Sequence, residues 1–410
     1  MGGGLTPRRP WKGRRVVLGV TGGIAAYKAA QIARDLTQLG ATVDVVLTRS
    51  AHAFIGPVTF EALTGRPVRD DILAPGHALD HIRLAREADV VCIAPATADF
   101  LARAAGGRSD DLLTAILLAT RAPVLLCPAM NDRMWSHPQT QANVRHLREA
   151  IGYEIVGPAT GPLAFGEGEG PGRMEEPSTI VEHIGRALEG DTPFRGRTVV
   201  VTAGPTREAV DPVRVLTNRS SGRMGFALAQ AAWRRGADVV LIAGPTSVPA
   251  PAGPTLRRIE TAEEMLAAVR EALPDADALI MSAAVADFRP SRPAGEKIKK
   301  EHAPDAIELE PAPDVLRESR DARPAGLVVV GFALETENAR AHARRKLESK
   351  ALDLVVLNEA GAPGAGFEVE TNQVVLIDAR GGEEALPLMT KDDVAEAILD
   401  RVAPLLERRP

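Results

Sequence analysis

The amino-acid sequence predicts an α/β protein with two domains, each built on a parallel sheet that helices cover on both faces. Two observations support this. Residues 16–40 and residues 197–236 each contain an apolar strand, a glycine-bearing turn, a helix and a closing glycine. The other strands are near-continuous apolar runs, which is typical of strands buried on both faces of a parallel sheet. The prediction is therefore two doubly wound, Rossmann-like domains.

Composition and length agree with this class and exclude several others. The chain has 410 residues, of which 45% are apolar and 25% charged, which suits two or three domains of about 150 residues each. The net charge of −5 argues against nucleic-acid binding as a bulk property. Two cysteines, Cys92 and Cys127, are too few for a disulfide framework or a cysteine-rich zinc site, and they favour a cytoplasmic location. No apolar run approaches the ~20 residues that span a membrane.

The first domain is expected over residues 14–190, after a disordered extension over residues 1–13. Its predicted elements are strand Val16–Val20, a helix from Ile24 to Leu39, strand Val43–Leu47, strand Asp89–Ala94, a helix from Ser109 through Thr120, strand Val124–Cys127 and a helix over 178–189. Polar residues follow the strand ends, where ligands bind in such sheets. Residues 158–177 are rich in Gly and Pro and lack a period, so we expect a lid or a disordered loop.

The second domain is expected over residues 191–410, with a linker from Gly190 to Arg197. Strands are predicted near 198–202, 238–242, 277–281, 327–331, 353–357 and 374–378, with helices between them. One of these helices, Met224 to Arg235, is closed by Gly236. Two irregular segments, 285–313 and 358–373, interrupt the alternation.

Two turns are candidate anion sites. Thr21-Gly22-Gly23 and Asn218–Gly222 each lie between a strand and a helix N-terminus, where backbone N–H groups and the helix dipole favour phosphate. The first turn is not GxGxxG, which argues against an ordinary NAD site, and the chain has no P-loop. A tight turn that only packs its helix is the alternative for Thr21-Gly22-Gly23.

Individual polar residues have both functional and structural interpretations. His81 is either a base near neutral pH or a structural histidine. Asn131 is either a substrate-orienting amide or a helix cap. Asp110 and Asp111 are interpreted as first-turn charges.

The second half contains a candidate site for a nucleoside triphosphate. Asp287 follows an apolar strand, where an acid can hold Mg²⁺ or ribose hydroxyls. Lysines occur at positions 297, 299 and 300, and Lys346 and Lys350 share one helix face. A solvated charged face is the alternative for these lysines.

Motifs along the chain resemble a known enzyme family. The stretches are Val20–Lys28, His81-Ile82, Ala94–Asp99, Asp110–Leu113 and Pro128–Asn131, then TAGPTREAVDPVR, NRSSGRMG, AAVADFRP, KIKK and GFALET. The first set is similar to flavin-dependent cysteine decarboxylases. Together, over about residues 14–400, they resemble the bacterial bifunctional phosphopantothenoylcysteine decarboxylase/phosphopantothenate–cysteine ligase of coenzyme A biosynthesis.

The resemblance implies a flavodoxin-like flavoprotein fold for the first half. FMN would be bound by Thr21, Gly22, Gly23, Ile24, Thr48, Ser50, Ala96 and Thr97. His81 matches the active-site histidine, and Asn131 matches the amide that holds the substrate carboxylate. In the implied reaction FMN oxidises the substrate thiol to a thioaldehyde, CO₂ leaves, and hydride and proton return to give 4′-phosphopantetheine.

For the second half the resemblance implies a ligase fold that uses CTP. The implied nucleotide-binding residues are Met281, Ser282, Ala283, Asp287, Lys297, Pro313, Asp314, Phe332, Lys346 and Lys350. The carboxylate of 4′-phosphopantothenate would attack the α-phosphate, and cysteine would then displace CMP from the acyl-cytidylate. Lys297 and Asn218 are the implied catalytic residues, and Mg²⁺, with Asp287 as its ligand, would bridge the phosphates.

The sequence departs from the family in the segment over 158–177. Family members carry a cysteine where this chain has Phe165, and one extra residue precedes Gly170. Because Phe165 cannot donate a proton, the family's catalytic acid is not carried over, and the reductive half of the decarboxylation is in doubt.

Two rival functions are less consistent with the sequence than the enzyme is. A flavin module fused to a nucleotide sensor is disfavoured by His81, Asn131, Asn218 and Lys297, and an NADPH-dependent oxidoreductase by the absence of GxGxxG. The expected partners are small molecules, without nucleic acid or membrane. The implied homo-oligomer has trimeric decarboxylase units and dimeric ligase units within a larger assembly such as a dodecamer.

Overall fold

The computed structural model describes residues 9–73, 75–189, 192–299, 305–335, 338–359 and 369–407. The chain divides into two compact units, of which one is Pro7–Glu189 and the other contains Gly190–Pro410. The domain boundary expected between residues 190 and 191 lies one residue from this division. Lys300, residues 301–304 and residues 360–368 of the expected irregular segments lie outside the described residues.

The first unit contains seven described strands and eight described α-helices. The strands are β1 (Arg15–Val20), β2 (Thr42–Leu47), β3 (Val90–Ala96), β4 (Val124–Pro128), β5 (Glu154–Ile155), β6 (Ala159–Pro162) and β7 (Glu169–Arg173). The helices are α1 (Ala26–Gln38), α2 (Pro57–Thr64), α3 (Asp80–Glu87), α4 (Ala98–Ala105), α5 (Leu112–Ala119), α6 (Asp132–Ser136), α7 (Pro138–Arg145) and α8 (Pro177–Glu189). A short 3₁₀ helix spans Arg49–Ala53, and a π-helical turn spans His146–Ala150.

Strands β1 to β5 form one parallel sheet in the order 2-1-3-4-5. This is the flavodoxin-like order, whose direction reverses between β1 and β3. Both faces of the sheet are apolar: Val16 of β1 packs in one core with Ile32 and Leu36 of α1. Val17 packs in the opposite core with Leu113 of α5. The alternation of side chains along a strand explains why an uninterrupted apolar run is needed.

Two expectations for the first unit are corrected. Residues 1–8 of the expected disordered extension lie outside the described residues, but Trp11 is only 3% exposed and its backbone N–H donates to the Leu39 carbonyl oxygen. The segment over 158–177 is not an irregular loop, because β6 and β7 pair within it as an antiparallel hairpin. Gly166 and Gly168 take positive φ angles of 84° and 79° at its tip, which glycine adopts readily.

The second unit has fourteen described strands and five described α-helices. The strands are β8 (Thr198–Ala203), β9 (Arg207–Ala209), β10 (Val215–Thr217), β11 (Asp238–Ala243), β12 (Thr255–Arg258), β13 (Ala278–Met281), β14 (Phe288–Pro290), β15 (Leu309–Pro311), β16 (Val328–Glu335), β17 (Leu354–Glu359), β18 (Thr371–Asn372), β19 (Val374–Asp378), β20 (Glu383–Ala385) and β21 (Met389–Thr390). The helices are α9 (Arg223–Arg234), α10 (Ala262–Ala272), α11 (Val315–Glu318), α12 (Ala339–Ser349) and α13 (Lys391–Glu407). A 3₁₀ helix spans Arg320–Ala322.

An eight-stranded sheet organises this unit, in the order β12-β11-β8-β13-β16-β17-β19-β20. Its first six strands are parallel and, counted along the chain, follow the Rossmann order 3-2-1-4-5-6, which reverses between β8 and β13. The strands β19 and β20 extend the sheet antiparallel. Three two-stranded pairs, β9–β10, β14–β15 and β18–β21, lie outside it. The predicted α/β class with two doubly wound domains is confirmed. Within the described ranges no helix is both long and apolar enough to cross a membrane.

We predict that residues 191–410 fold alone and that Phe194 is needed for this. Phe194 is fully buried in the core formed by β8, α9 and α13. A fragment over 198–410 lacks it and should lose about 3–5 kcal/mol in free energy of unfolding, as when a buried Phe is truncated. Urea denaturation of the two fragments provides the measurement. Equal stability, or an insoluble 191–410 fragment beside a folded full-length chain, would contradict the prediction.

Candidate active sites

The first candidate site lies at the carboxyl ends of β1 and β3, where the strand order reverses. Thr21 follows β1 and is 2% exposed. Its hydroxyl donates to the Pro95 carbonyl oxygen at 2.8 Å and accepts from the Thr97 backbone N–H at 3.2 Å. These two bonds hold together the turns that leave neighbouring strands. Ligands bind at such a reversal point in doubly wound sheets.

Two adjacent glycines in this turn have different surroundings. A Cβ atom on Gly22 would lie 2.5 Å from Ser50 Cβ, whereas a Cβ on Gly23 would have Thr97 Cγ2, at 3.5 Å, as its nearest neighbour. Gly22 therefore lets the turn after β1 pack directly against the turn after β2. Thr48 lies in that second turn, where its hydroxyl is 3.2 Å from Ser50 Oγ.

Six of the expected flavin-binding residues are thus brought together, namely Thr21, Gly22, Gly23, Thr48, Ser50 and Thr97. The two others differ in their exposure. Ala96 is fully buried within β3, and Ile24 is 70% exposed just before α1. Hydroxyl groups, backbone N–H groups and one exposed apolar side chain are the groups available for a ligand here.

His81 lies in the first turn of α3 and is not among the residues that these bonds join. Its Nδ1 atom is buried and has no hydrogen-bond partner among the described residues. The neighbouring Asp80 is buried and accepts from Arg69 Nε and His77 Nδ1, both at 3.0 Å. Asp80 therefore fixes the start of α3, and the imidazole of His81 keeps a buried nitrogen of the kind that usually has a hydrogen-bond partner. The sequence analysis missed Asp80.

Asn131 follows β4 and caps α6, since its side-chain oxygen accepts from the Arg133 backbone N–H at 2.9 Å. Its side-chain nitrogen is not part of this cap and remains available for another contact. In the loop between α4 and α5, Asp111 is the N-cap of α5 rather than a residue of its first turn, and it accepts from Arg103 at 2.6 Å.

The β6–β7 hairpin docks against the turn that carries Asn131. The Met130 N–H donates to the Gly172 carbonyl oxygen at 2.9 Å, and a Cβ on Gly172 would overlap the Met130 carbonyl. Beyond β7, the buried Lys28 Nζ donates to the Met174 carbonyl oxygen at 3.0 Å. Phe165, at the hairpin tip, is fully exposed.

The second candidate site is a cavity of about 1000 Å³ at the carboxyl ends of β13, β16 and β17, bordered by residues 218–225, which lead into α9. Ten of the residues predicted for the ligase reaction line it: Asn218, Met281, Ser282, Ala283, Asp287, Pro313, Asp314, Phe332, Lys346 and Lys350. Lys297 is exposed and is not among the lining residues.

Polar contacts join the turns after β8 and β13 beside this cavity. The Ala284 N–H donates to the Gly204 carbonyl oxygen at 2.9 Å. The Asn218 side-chain amide donates to the carbonyl oxygens of Ala284 and Val285, both at 3.1 Å. Gly225 lets α9 lie close to the end of β8, because a Cβ there would lie 2.5 Å from Ala203 Cβ. The N-terminus of α9 thereby faces the reversal point, where it favours an anion.

Lys346 of α12 and Lys350, which directly follows this helix, form a cationic wall of the cavity. Lys346 Nζ donates to the Phe332 carbonyl oxygen at 2.7 Å, and Lys350 pairs with Asp314. Removal from water lowers the pKa of Lys346 below 10.5, against the opposing effects of Glu335 and Asp287. Burial also lowers the pKa of Lys350. The alternative of a solvated charged face is wrong for Lys346.

Several lining residues were missed by the sequence analysis. Asn358, at the end of β17, has a buried side-chain oxygen without a partner in the described part of the chain, as does the Ser282 hydroxyl. Asn372 and Lys391 are buried and also line the cavity. A polar residue at the carboxyl end of a parallel strand was the available signal for Asn358. The unpaired oxygens suit a polar ligand.

No group of three or more His, Cys, Asp or Glu side chains that could hold a metal ion occurs in the described ranges. Two carboxylates line the cavity: Asp314 pairs with Lys350, and Asp287 is the one predicted as the Mg²⁺ ligand. One carboxylate is in keeping with Mg²⁺ that is held mainly by substrate phosphates.

Relatives of the chain match it along nearly its whole length. The Coenzyme A biosynthesis bifunctional protein CoaBC of Vibrio vulnificus strain CMCP6 is 44% identical over 398 residues, which cover 96% of this chain and 98% of the relative. The protein of the same name from Mycolicibacterium smegmatis is 46% identical over 409 residues, covering 96% of this chain and 98% of the relative. The chain belongs to the CoaBC family. The recognition made from the sequence motifs is confirmed.

Family models and solved structures match the two halves separately. Residues 5–189 match the Flavoprotein family, and residues 194–405 match the DNA/pantothenate metabolism flavoprotein C-terminal domain. The crystal structure of the C-terminal domain of a CoaBC protein is 36% identical, with a TM-score of 0.46, covering 53% of this chain and all of that one. A PPC decarboxylase mutant complexed with pantothenoylaminoethenethiol is 32% identical, with a TM-score of 0.38, covering 42% of this chain and 96% of that one. Both scores are below 0.5, so the family assignment rests on the sequence matches.

As a CoaBC protein, the chain is a bifunctional enzyme of coenzyme A biosynthesis. Its flavoprotein half is the decarboxylase and its C-terminal half is the ligase.

We predict that Gly22→Ala destabilises the first unit and that Gly23→Ala does not. The methyl group at position 22 would force Ser50 to move, which costs about 1–3 kcal/mol in an overpacked site. At position 23 the methyl group meets only an ordinary contact. Thermal denaturation of the two cofactor-free variants makes the comparison. Equal melting temperatures would mean that the packing of the β1 turn on Ser50 is not close.

Proposed function

We propose that the ligase half couples 4′-phosphopantothenate to cysteine with CTP, and that the decarboxylase half uses FMN to convert the product to 4′-phosphopantetheine. The observation that carries the proposal is the ligase cavity, which gathers Asn218, Asp287, Lys346 and Lys350 at the reversal point of the sheet. The proposal is supported by membership in a family of bifunctional coenzyme A proteins.

The cavity suits a nucleoside triphosphate and the carboxylate substrate that it activates. The N-terminus of α9, Lys346 and Lys350 supply positive charge for phosphates, and Asp287 is the carboxylate for Mg²⁺. The unpaired oxygens of Ser282 and Asn358 suit polar groups of the nucleotide or of 4′-phosphopantothenate. Asn218, whose amide is already fixed on Ala284 and Val285, is proposed to orient the acyl-cytidylate. Lys297 is proposed to stabilise charge that develops on the phosphates.

At the first reversal point the residues fit a flavin mononucleotide. The hydroxyls of Thr48, Ser50 and Thr97 and the N–H groups of the Gly22-Gly23 turn are proposed to bind it, with Ile24 against its apolar surface. Bound FMN supplies hydride acceptance and return. His81, with its unpaired nitrogen, is proposed to hold or move a proton on the substrate, and the Asn131 amide to hold the carboxylate that leaves.

The assembly and the location are also proposals. We propose the homo-oligomer that the resemblance implies, with trimeric decarboxylase units and dimeric ligase units. Exposed apolar side chains such as Phe54 and Leu73 in the first unit, and Val213 and Phe288 in the second, are in keeping with subunit contacts. The cytoplasmic location stays a prediction.

We predict that CTP-dependent coupling of cysteine falls at alkaline pH through the lowered pKa of Lys346. The charged amine binds phosphate, and burial lowers its pKa below 10.5, so the proton is lost at a lower pH than from an exposed lysine. In Lys346→Arg the guanidinium stays charged, so the fall in kcat/KM for CTP should move to higher pH. Initial rates of CMP formation across pH measure this.

The matched control is Arg340→Lys, on the exposed face of the same helix, which pairs with Glu383 rather than lining the cavity. It should keep the wild-type pH profile. An identical alkaline limb in wild type and Lys346→Arg would show that Lys346 does not bind the nucleotide. Failure to form CMP from CTP, cysteine and 4′-phosphopantothenate at any pH would refute the proposed ligase reaction.

We predict that a glutamate of the β6–β7 hairpin, or water, replaces the missing cysteine as proton donor, and that the reductive step is slow. Glu167 and Glu169 are exposed near Phe165. A donor in a less suitable position can cost ~10²-fold in rate. Single-turnover mixing without oxygen, with flavin absorbance and product mass as readouts, should show a long-lived bleached flavin and enethiol product. Glu167→Gln/Glu169→Gln should lengthen this phase.

A gain-of-function variant provides the control for the hairpin. Phe165→Cys returns a thiol to the tip and should shorten the bleached phase. Rapid return of flavin absorbance with saturated product in wild type, unchanged in the double glutamine variant, would mean that the donor lies elsewhere.

A further inference from the structure

Asp211 is a buried carboxylate that does not line the ligase cavity but accepts four hydrogen bonds. It follows β9 and is only 2% exposed. Its Oδ1 atom accepts from the backbone N–H groups of Val213 at 2.8 Å and Arg214 at 2.7 Å. Its Oδ2 atom accepts from Arg214 Nη1 at 2.7 Å and from the Ile298 backbone N–H at 3.2 Å.

The two carboxylate oxygens of Asp211 accept from different parts of the chain. Oδ1 closes the local turn between β9 and β10, as Asp side chains often do. Oδ2 instead holds Ile298, which is 87 residues further along the chain. A neutral side chain with one acceptor oxygen cannot serve both sets of donors.

Other bonds tie the same distant segment to the same turn. The Arg214 guanidinium donates to the Ile298 carbonyl oxygen at 3.1 Å, and the Ala294 N–H donates to the Val210 carbonyl oxygen at 2.9 Å. Residues 294–298 are therefore fastened at both ends to the β9–β10 turn. Lys297 lies between the hydrogen-bonded residues Ala294 and Ile298, directly before Ile298.

The β9–β10 hairpin is in turn joined to the cavity. The Thr217 hydroxyl, at the end of β10, donates to the Thr206 carbonyl oxygen at 2.7 Å. The next residue, Asn218, bonds to Ala284 and Val285 on the cavity wall. The turn that Asp211 closes thus connects the Lys297 segment to a residue of the cavity.

The charge state of Asp211 suits this role. Burial raises its pKa, but the N–H donors of Val213, Arg214 and Ile298 and the charge of Arg214 lower it, so that the net pKa lies below its ordinary value of 3.8. Asp211 is therefore ionised at neutral pH, and its bonds are of the stronger, charge-assisted kind.

We propose that Asp211 is a positioning residue of the ligase reaction, whose Oδ2 atom holds the backbone segment that carries Lys297. The inference rests on the proposed role of Lys297 in that reaction. A flexible lysine on an exposed loop loses side-chain freedom when it binds a phosphate. Fixing its backbone in advance lowers the cost of bringing its charge to the reacting group. Asp211 acts through Lys297 and needs no contact with the substrate.

The test uses Asp211→Asn in the full-length enzyme. Asparagine keeps the size of the side chain but replaces one acceptor oxygen by a donor, so one set of bonds must be lost. We expect kcat for CMP formation to fall ~10-fold or more with a smaller change in KM for CTP, since the missing contact belongs to the transition state. Asp211→Ser, which keeps a turn-closing oxygen but cannot reach Ile298, should give the same loss. Unchanged melting temperatures exclude unfolding as the cause.

A double-mutant cycle separates positioning from an independent effect. Lys297→Gln alone should reduce kcat strongly, and Asp211→Asn/Lys297→Gln should be no slower than Lys297→Gln. The control is Asp277→Asn at the amino ends of β8 and β13, away from the cavity. This carboxylate similarly accepts from the Thr198 N–H at 2.9 Å and from Arg197 at 3.0 Å. Asp277→Asn should leave kcat near the wild-type value.

Hydrogen exchange gives a readout that does not depend on activity. In Asp211→Asn, peptides covering 292–299 should exchange faster, while β8 and β13 keep their protection. Wild-type activity of Lys297→Gln would refute the role assigned to Lys297. If Lys297→Gln is impaired and the double variant shows the product of the two losses in kcat, the positioning role of Asp211 is overturned. Unchanged amide exchange over 292–299 in Asp211→Asn would overturn it as well.

Discussion

In both units the arrangement of the site depends on a few polar bonds across the point where the strand order reverses. The helices that leave neighbouring strands at such a point diverge to opposite faces of the sheet, so the turns between them border an open crevice. In the first unit the Thr21 hydroxyl joins the turns after β1 and β3. In the second, the Ala284 N–H joins the turns after β8 and β13. Gly22 lets the turn after β1 pack on the turn after β2, and Gly225 lets α9 lie close to the end of β8.

The same plan supports two chemistries because the side chains around the crevice differ. The first crevice is bordered by hydroxyls, glycine N–H groups and small apolar residues. The side chains named there offer a ligand hydrogen bonds rather than charge. The second has lysines whose amines are partly removed from water, together with carboxylates on the same wall. Partly desolvated charges interact more strongly with phosphates than solvated ones do. A redox cofactor suits the first environment and a polyphosphate suits the second.

Much of the fold was predictable from sequence, since apolar runs and glycine-bearing turns are local signals. The strands β1, β2, β4, β8, β11 and β13 lie within two residues of their predicted bounds. Two cavity-lining residues were also predictable: Asp287 because it follows a strand, and Lys346 because it shares a helix face with Lys350. The β6–β7 hairpin was missed because its pairing depends on glycine conformations that composition does not reveal. Asn372 and Lys391 were missed because they enter the cavity from β18 and α13, far along the chain from the motifs.

Lys28 links the glycine turn at the first crevice to the β6–β7 hairpin. Helix α1 begins at the glycine turn of the first crevice, and the buried amine of Lys28, two residues into the helix, holds the chain just beyond β7. Order at the crevice and docking of the hairpin therefore share one rigid helix. Thermodynamic linkage makes such coupling reciprocal: a molecule that orders the crevice favours the docked hairpin, and the docked hairpin tightens retention of that molecule to the same extent.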